Sequence, residues 1–175
     1  MKSKKGFTLI EMLISMAIMG ILIGIAGIYG KAYLDRYRVE GQMKQMFADL
    51  MNARISAMQR NRTYFVTFGP SAAAATQYTI YADRDPADPA TPPTLDGDGV
   101  LQTGTDEVVT QTRLNPTYKV ASSAGEIDFS PRGLSGVTME TIRVVGAFGS
   151  AYDCIAVSAT KIRIGVMNGA TCVVQ

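Results

Sequence analysis

The side chains able to do chemistry are few. Histidine is absent and there are two cysteines, Cys154 and Cys172, so Ser-His-Asp and Cys-His nucleophile systems and His-based zinc sites are excluded. A four-cysteine zinc site or iron–sulfur cluster is equally out of reach. Four groups remain. Glu11 is a carboxylate at the start of an apolar run, where a charge is costly and marks a functional position; it can also be read as an acidic residue favoured by the positive end of a helix. Lys161 and Arg163 lie two apart on an expected strand, hence on one face, and with Arg132 and Arg143 could contact phosphates; they can equally be solvent-facing cations that protect a sheet edge. Asp83-Arg84-Asp85, Asp96-Gly97-Asp98-Gly99 and Asp106-Glu107 invite a calcium reading. Aligning Gly99 to the sixth position of an EF-hand loop puts Thr94 first and Thr105 twelfth, so both ends miss, and a solvated Asp/Gly turn is favoured. Cys154 and Cys172, if bridged, close a loop of about 19 residues and add roughly 3 kcal/mol; two buried free thiols are the alternative.

The elements that must position these groups follow from hydropathy. The 175 residues are 47% hydrophobic, enough for one ordinary domain and a tail. Met12 through Tyr29 contains no charge, whereas Thr76 to Asp106 is crowded with Pro, Asp, Gly and Thr. The formal net charge is +2, but Lys2, Lys4 and Lys5 supply three of the 17 basic side chains against 15 acidic ones. Without that leader the balance is slightly acidic, so a general polyanion binder is excluded.

At 1.5 Å per residue, Met12–Tyr29 covers roughly 27 Å, close to the hydrocarbon thickness of a bilayer. Basic residues precede it and mixed charges follow, which places the N-terminus in the cytoplasm and the rest across the membrane. A small-x-small cleavage site does not close the run, so a continuing helix fits better than a secretory signal. Ala17, Gly20, Gly24 and Gly27 recur at spacings of three, four and three on one face, a pattern suited to close helix packing in lipid. From Tyr33 to Arg62 the pattern is amphipathic, with Val39, Met43, Met46, Phe47, Leu50, Ala53, Ala57 and Met58 at threes and fours. One helix from about Phe7 to Asn61 would be on the order of 80 Å long.

After Arg62 the period switches to two. Tyr64–Phe68, Gln77–Ala82, Tyr118–Ala121, Glu126–Phe129, Thr141–Val145, Cys154–Val157, Lys161–Val166 and Thr171–Val174 read as short strands. The expected architecture is α+β, a long N-terminal helix packed against a C-terminal antiparallel β-rich head resembling a small sandwich.

Lys4-Lys5-Gly6-Phe7-Thr8-Leu9-Ile10-Glu11 resembles the class III signal of type IV pilins and type II secretion pseudopilins. The resemblance implies that prepilin peptidase cuts between Gly6 and Phe7 and that Phe7 is then N-methylated. It also implies that Glu11 sets axial register against the N-terminal amine of a neighbouring subunit. Many major pilins carry a proline in the middle of this helix; here the first proline is Pro70. The helix end MNARISAMQRNRTYFVTF, the acidic turn LDGDGVLQTGTDEVV, the segment IDFSPRGLSG and the terminal DCIAVSATKIRI together resemble the GspH/FimT-type minor pilin head. The terminal cysteine pair leans toward the FimT/FimU pilus branch. Thr160-Lys161-Ile162-Arg163 is similar to the Gly-Arg-x-Arg motif common in FimT-like proteins, some of which bind DNA, but lacks its glycine.

The expected segments are a leader at 1–6, a membrane helix at 7–30, an amphipathic helix at 31–62 and the head at 63–175. The resemblance implies a structural minor pilin that primes assembly or sits at or near a filament tip, with a secretion pseudopilin, a major subunit or a DNA-uptake receptor as alternatives. Its partners would be other pilin subunits in a helical filament, prepilin peptidase, the inner-membrane assembly machinery and inner-membrane lipid, with DNA as a further ligand. No enzyme activity, metal or cofactor is implied.

Overall fold

A computed structural model describes residues 7–83, 99–104 and 106–174. The leader, Gly6 included, and the Asp96–Asp98 turn lie outside the described residues, as does the proline-rich stretch 86–93.

Helix α1 spans Leu9–Arg60 without interruption. Its start is marked by Glu11, whose carboxylate accepts the Thr8 backbone N–H at 3.4 Å, satisfying a donor that the first turn leaves free. Its end is set by Asn61, which adopts the left-handed conformation (φ 51°), a residue and geometry suited to helix termination. Between these points the helix has two characters. From Val39 onward, Val39, Met43, Met46, Leu50, Ala53 and Ala57 are buried, at spacings that repeat four and three and so form one stripe. Of the other two residues expected in that stripe, Phe47 is half-buried and Met58 is exposed. Before Tyr33, apolar side chains such as Ile10, Leu13, Ile14, Ile18 and Ile21 are exposed.

Nine strands follow among the described residues: β1 (Tyr64–Gly69), β2 (Gln77–Ala82), β3 (Glu107–Arg113), β4 (Val120–Ser122), β5 (Glu126–Phe129), β6 (Met139–Val144), β7 (Cys154–Ser158), β8 (Ile162–Asn168) and β9 (Thr171–Val174). They form two sheets with strand orders β3-β2-β1-β5 and β4-β6-β7-β8-β9, antiparallel at every pairing. The inner faces meet the helix stripe in one core that includes Tyr64, Val66, Ile80, Ile127, Ile142, Ile155 and Val157. The architecture is the α+β arrangement expected from the sequence. Strand β3 is the departure: the sequence there reads as the tail of an acidic turn. Adjacent Val108 and Val109 break the alternation, and the pairing with β2 slips at Ile80/Tyr81, a bulge that period-two reading does not register.

The described ends of the connection from β2 to β3 are anchored by acidic residues. Asp83 and Asp106 are buried; Asp83 accepts the Gly99 N–H at 3.1 Å and Asp106 accepts the Gln102 N–H at 2.7 Å. Among the described residues no group of three or more His, Cys, Asp or Glu could hold a metal ion. On β5, burial raises the carboxyl pKa of Glu126 above its ordinary value, with the negative charges of Asp128 and Asp106 adding to the shift. A raised folded-state pKa contributes stability that is fully present below the unfolded value and lost as pH rises through the folded value. Glu126→Gln is therefore expected to raise the midpoint of denaturant unfolding at pH 7 and to leave it nearly unchanged at pH 4; an equal gain at both pH values would contradict this.

Cys154 and Cys172 form a disulfide with their Cα atoms 5.9 Å apart. It joins β7 to β9 across the intervening β8, so the terminal strand leans over the outer face of its sheet. Gly165 makes this crossing feasible, since a Cβ there would stand 2.2 Å from the Val173 carbonyl oxygen. Gly165→Ala should cost about 1–3 kcal/mol, as overpacking against backbone does, measured as a lower unfolding midpoint; an unchanged midpoint would show that β9 gives way freely.

Candidate functional site

Two regions carry the residues singled out by the sequence. The first is the exposed half of α1. An 18-residue stretch within the helix has mean hydropathy 2.4 and none of it is buried, the profile of a membrane-spanning segment. Phe7 precedes the first turn and is exposed. Glu11 sits in that turn, its carboxylate directed back to the Thr8 N–H, while Ser15 Oγ donates to the Glu11 and Met12 carbonyls at 2.9 and 3.0 Å. Ala17, Gly20, Gly24 and Gly27 are exposed, and a Cβ at any of these three glycines would meet nothing within 4 Å. This face is free for another helix.

The second region is a groove of about 470 Å³ on the outer face of the second sheet, bounded by Met139, Thr141, Ala156, Lys161, Arg163 and Cys172. Strand register builds it. Thr141 pairs with Ala156, which pairs with Arg163, so the three lie in one row with their side chains on the same face. The overhanging β9, held by the disulfide, supplies the wall. Arg143 pairs with Cys154 in the next row and lines an adjoining depression that shares Thr141 and Ala170 with the groove. Lys161, Arg163 and Arg143 form no ion pair among the described residues. Of the four cations expected to act together, the structure thus brings three onto one face. Arg132 stands apart in the turn at 130–134, where Gly133 N–H bonds to the Ser130 carbonyl, and lines neither depression. The floor is more apolar than the sequence suggests: Met139 is 77% exposed there.

The head is fastened to the helix by side-chain hydrogen bonds that no sequence pattern announces. Tyr118 donates its hydroxyl proton to Asp35 and Tyr78 donates to Asp49, each at 2.5 Å. The pKa of Tyr78 is raised, first by burial and then by the Asp49 carboxylate that accepts its proton. Gln42 Nε2 donates to the Tyr118 carbonyl at 2.7 Å while its Oε1 accepts the Asn115 N–H at 3.2 Å. Asp49 lies next to the apolar stripe, and a carboxylate so placed is the one signal available in the sequence.

Residues 1–27 match the prokaryotic N-terminal methylation motif, and residues 42–161, more than half of the chain, match the family described as type II transport protein GspH. The chain belongs to the GspH family. The fold is similar to two crystal structures of the type IV minor pilin FimU of Pseudomonas aeruginosa. One matches with a TM-score of 0.56 at 15% identity, covering 77% of this chain and 92% of FimU. The other matches with a TM-score of 0.53 at 15% identity, covering 73% and 92%. No curated protein sequence matches. The family and the structural neighbours are structural pilin-type proteins rather than enzymes, and this chain carries the N-terminal methylation motif.

Proposed function

We propose that this GspH-family chain is a minor pilin of a type IV pilus, which primes assembly or occupies a position at or near the filament tip. The observation that carries the reading is the division of α1. One half is apolar, unburied among the described residues and largely within the methylation motif, and the other half is a core element of a head whose fold resembles FimU. Prepilin peptidase removes residues 1–6 by cutting between Gly6 and Phe7, and Phe7 is N-methylated. Residues 7–30 hold the subunit as a single-pass protein in the inner membrane with its N-terminus cytoplasmic, until the assembly machinery extracts it. In the filament the same segment packs against neighbouring pilins through Ala17, Gly20, Gly24 and Gly27. The amphipathic half at 31–62 carries the head at 63–175 outward. Glu11 exchanges its contact with Thr8 for the N-terminal amine of an adjacent subunit.

Removing one partner of a buried charge pair costs several kcal/mol. Glu11→Ala should therefore give cleaved, membrane-resident protein whose content in sheared filaments falls by roughly tenfold or more; normal incorporation would remove the register role. The description of the matched family as a type II transport protein supports a second reading, a periplasmic pseudopilin. The ratio of this chain to other subunits in purified filaments separates a minor from a major subunit, and its absence from surface pili would favour the pseudopilin.

The convergence of Lys161, Arg163 and Arg143 without acidic partners supports a third role, contact with DNA during uptake. The double substitution Lys161→Ala/Arg163→Ala should weaken DNA retention and make its log–log salt dependence shallower by about 2, close to one unit per phosphate contact. Unchanged binding would dismiss the role.

A further inference from the structure

The segment of α1 just past the apolar run meets the 145–151 loop in a feature that none of the roles above uses. Arg36 lies between two shallow depressions on the underside of the head, one bounded by Phe148 and Gly149 and the other by Tyr33, Tyr37, Glu40 and Ser150. Gly149 adopts φ +62°, and a Cβ there would stand 3.2 Å from Arg36 Nη2 and 3.3 Å from Nε. Glycine thus permits both the left-handed turn and the close approach of the guanidinium to the loop backbone. Arg36 forms no hydrogen bond or ion pair with any described residue. Ser150, 4% exposed, has its hydroxyl buried without a partner. Buried hydroxyls are nearly always satisfied, so an unpaired one on a residue that lines the same depression as an unpaired guanidinium marks a place for an acceptor such as an anionic oxygen. The neighbouring carboxylates are already engaged, Asp35 by the Tyr118 hydroxyl and Glu40 by the Ala151 N–H at 2.9 Å.

The position of this site along the helix selects the anion. Arg36 lies seven residues past Tyr29, about 10 Å beyond the end of the apolar run. Helical side chains lean toward the N-terminus, so the guanidinium reaches back into the polar layer of a bilayer, which adds roughly 5–7 Å to each side of the hydrocarbon. Tyr33 and Tyr37 are 70% and 71% exposed at the depth where amphipathic rings favour a membrane interface. We propose that the crevice centred on Arg36 and Ser150 binds the phosphodiester of a phospholipid headgroup in the periplasmic leaflet while the subunit awaits extraction. The contact seats the head on the membrane surface and must break when the subunit enters a filament.

The proposal rests on the membrane-inserted state of the proposed pilin, but its test is read on the isolated chain, whereas the pilin reading is tested by filament incorporation. Either can fail alone. The processed full chain is purified in non-ionic detergent, and native mass spectrometry follows the retention of added phosphatidylglycerol. The wild type should retain one lipid that Arg36→Ala binds about tenfold more weakly, while Lys31→Ala and Arg38→Ala, which alter cations outside the crevice, retain it. Glu40→Gln, which leaves Arg36 in place and removes a nearby negative charge, should tighten retention. A diglucosyl diacylglycerol, with acyl chains but no phosphate, should not be retained, and millimolar inorganic phosphate should not displace the lipid. The proposal is overturned by equal retention in Arg36→Ala, or by equal losses in Lys31→Ala and Arg38→Ala, which would mean diffuse surface charge. Retention of the glycolipid, or displacement by inorganic phosphate, overturns it as well. If Arg36→Ala loses its protease-resistant head, Arg36→Lys and Glu40→Gln decide: no change in either is a negative result.

Discussion

Both sheets close their inner faces on one apolar stripe, Val39 through Ala57, and the remaining organisation depends on that contact. The head has no described α-helix of its own, so the C-terminal half of α1 serves as its core. Helix and head therefore form a single packed unit. Non-directional burial brings them together, and the hydrogen bonds from Tyr118 to Asp35 and from Tyr78 to Asp49 then fix rotation and height. The exposed half of the helix inherits its direction from this docking.

Local periodicity made much of this legible. The stripe was readable because period 3.6 is a local property, and Val39, Met43, Met46, Leu50, Ala53 and Ala57 are all buried. Strands with clean alternation, such as Gln77–Ala82 and Glu126–Phe129, appear at the expected residues. Strand β3 escapes a period-two reading because paired valines and a bulge erase alternation, leaving cross-strand pairing with β2 to define it. The latches were invisible for another reason: Tyr118 and Asp35 are 83 residues apart, and nothing in a one-dimensional pattern pairs them.

Of the candidate site, the sequence supplied the cations but not the groove. Lys161 and Arg163 share a face by simple alternation, yet the cavity beside them exists because β9 crosses over β8 at Gly165 and is held there by the disulfide. The surface is also divided by charge. The first sheet carries Glu126 and Asp128 on β5, where Asp128 accepts the Gly136 N–H at 3.1 Å, whereas the second presents Lys161, Arg163 and Arg143. A near-neutral total hides this polarity.

Along α1, the change from unpacked to packed helix divides a single rod into two mechanical materials. Beyond Val39 the backbone is clad by the head, and an axial load would be shared in shear among the apolar stripe and the bonds at Asp35, Gln42 and Asp49, which must fail together. Nearer the N-terminus, among the described residues, resistance to stretching comes from the helix's own hydrogen bonding, in a segment weakened by glycines of low helix propensity. Tension on such a subunit would be taken up as extension in that bare stretch, leaving the head undeformed.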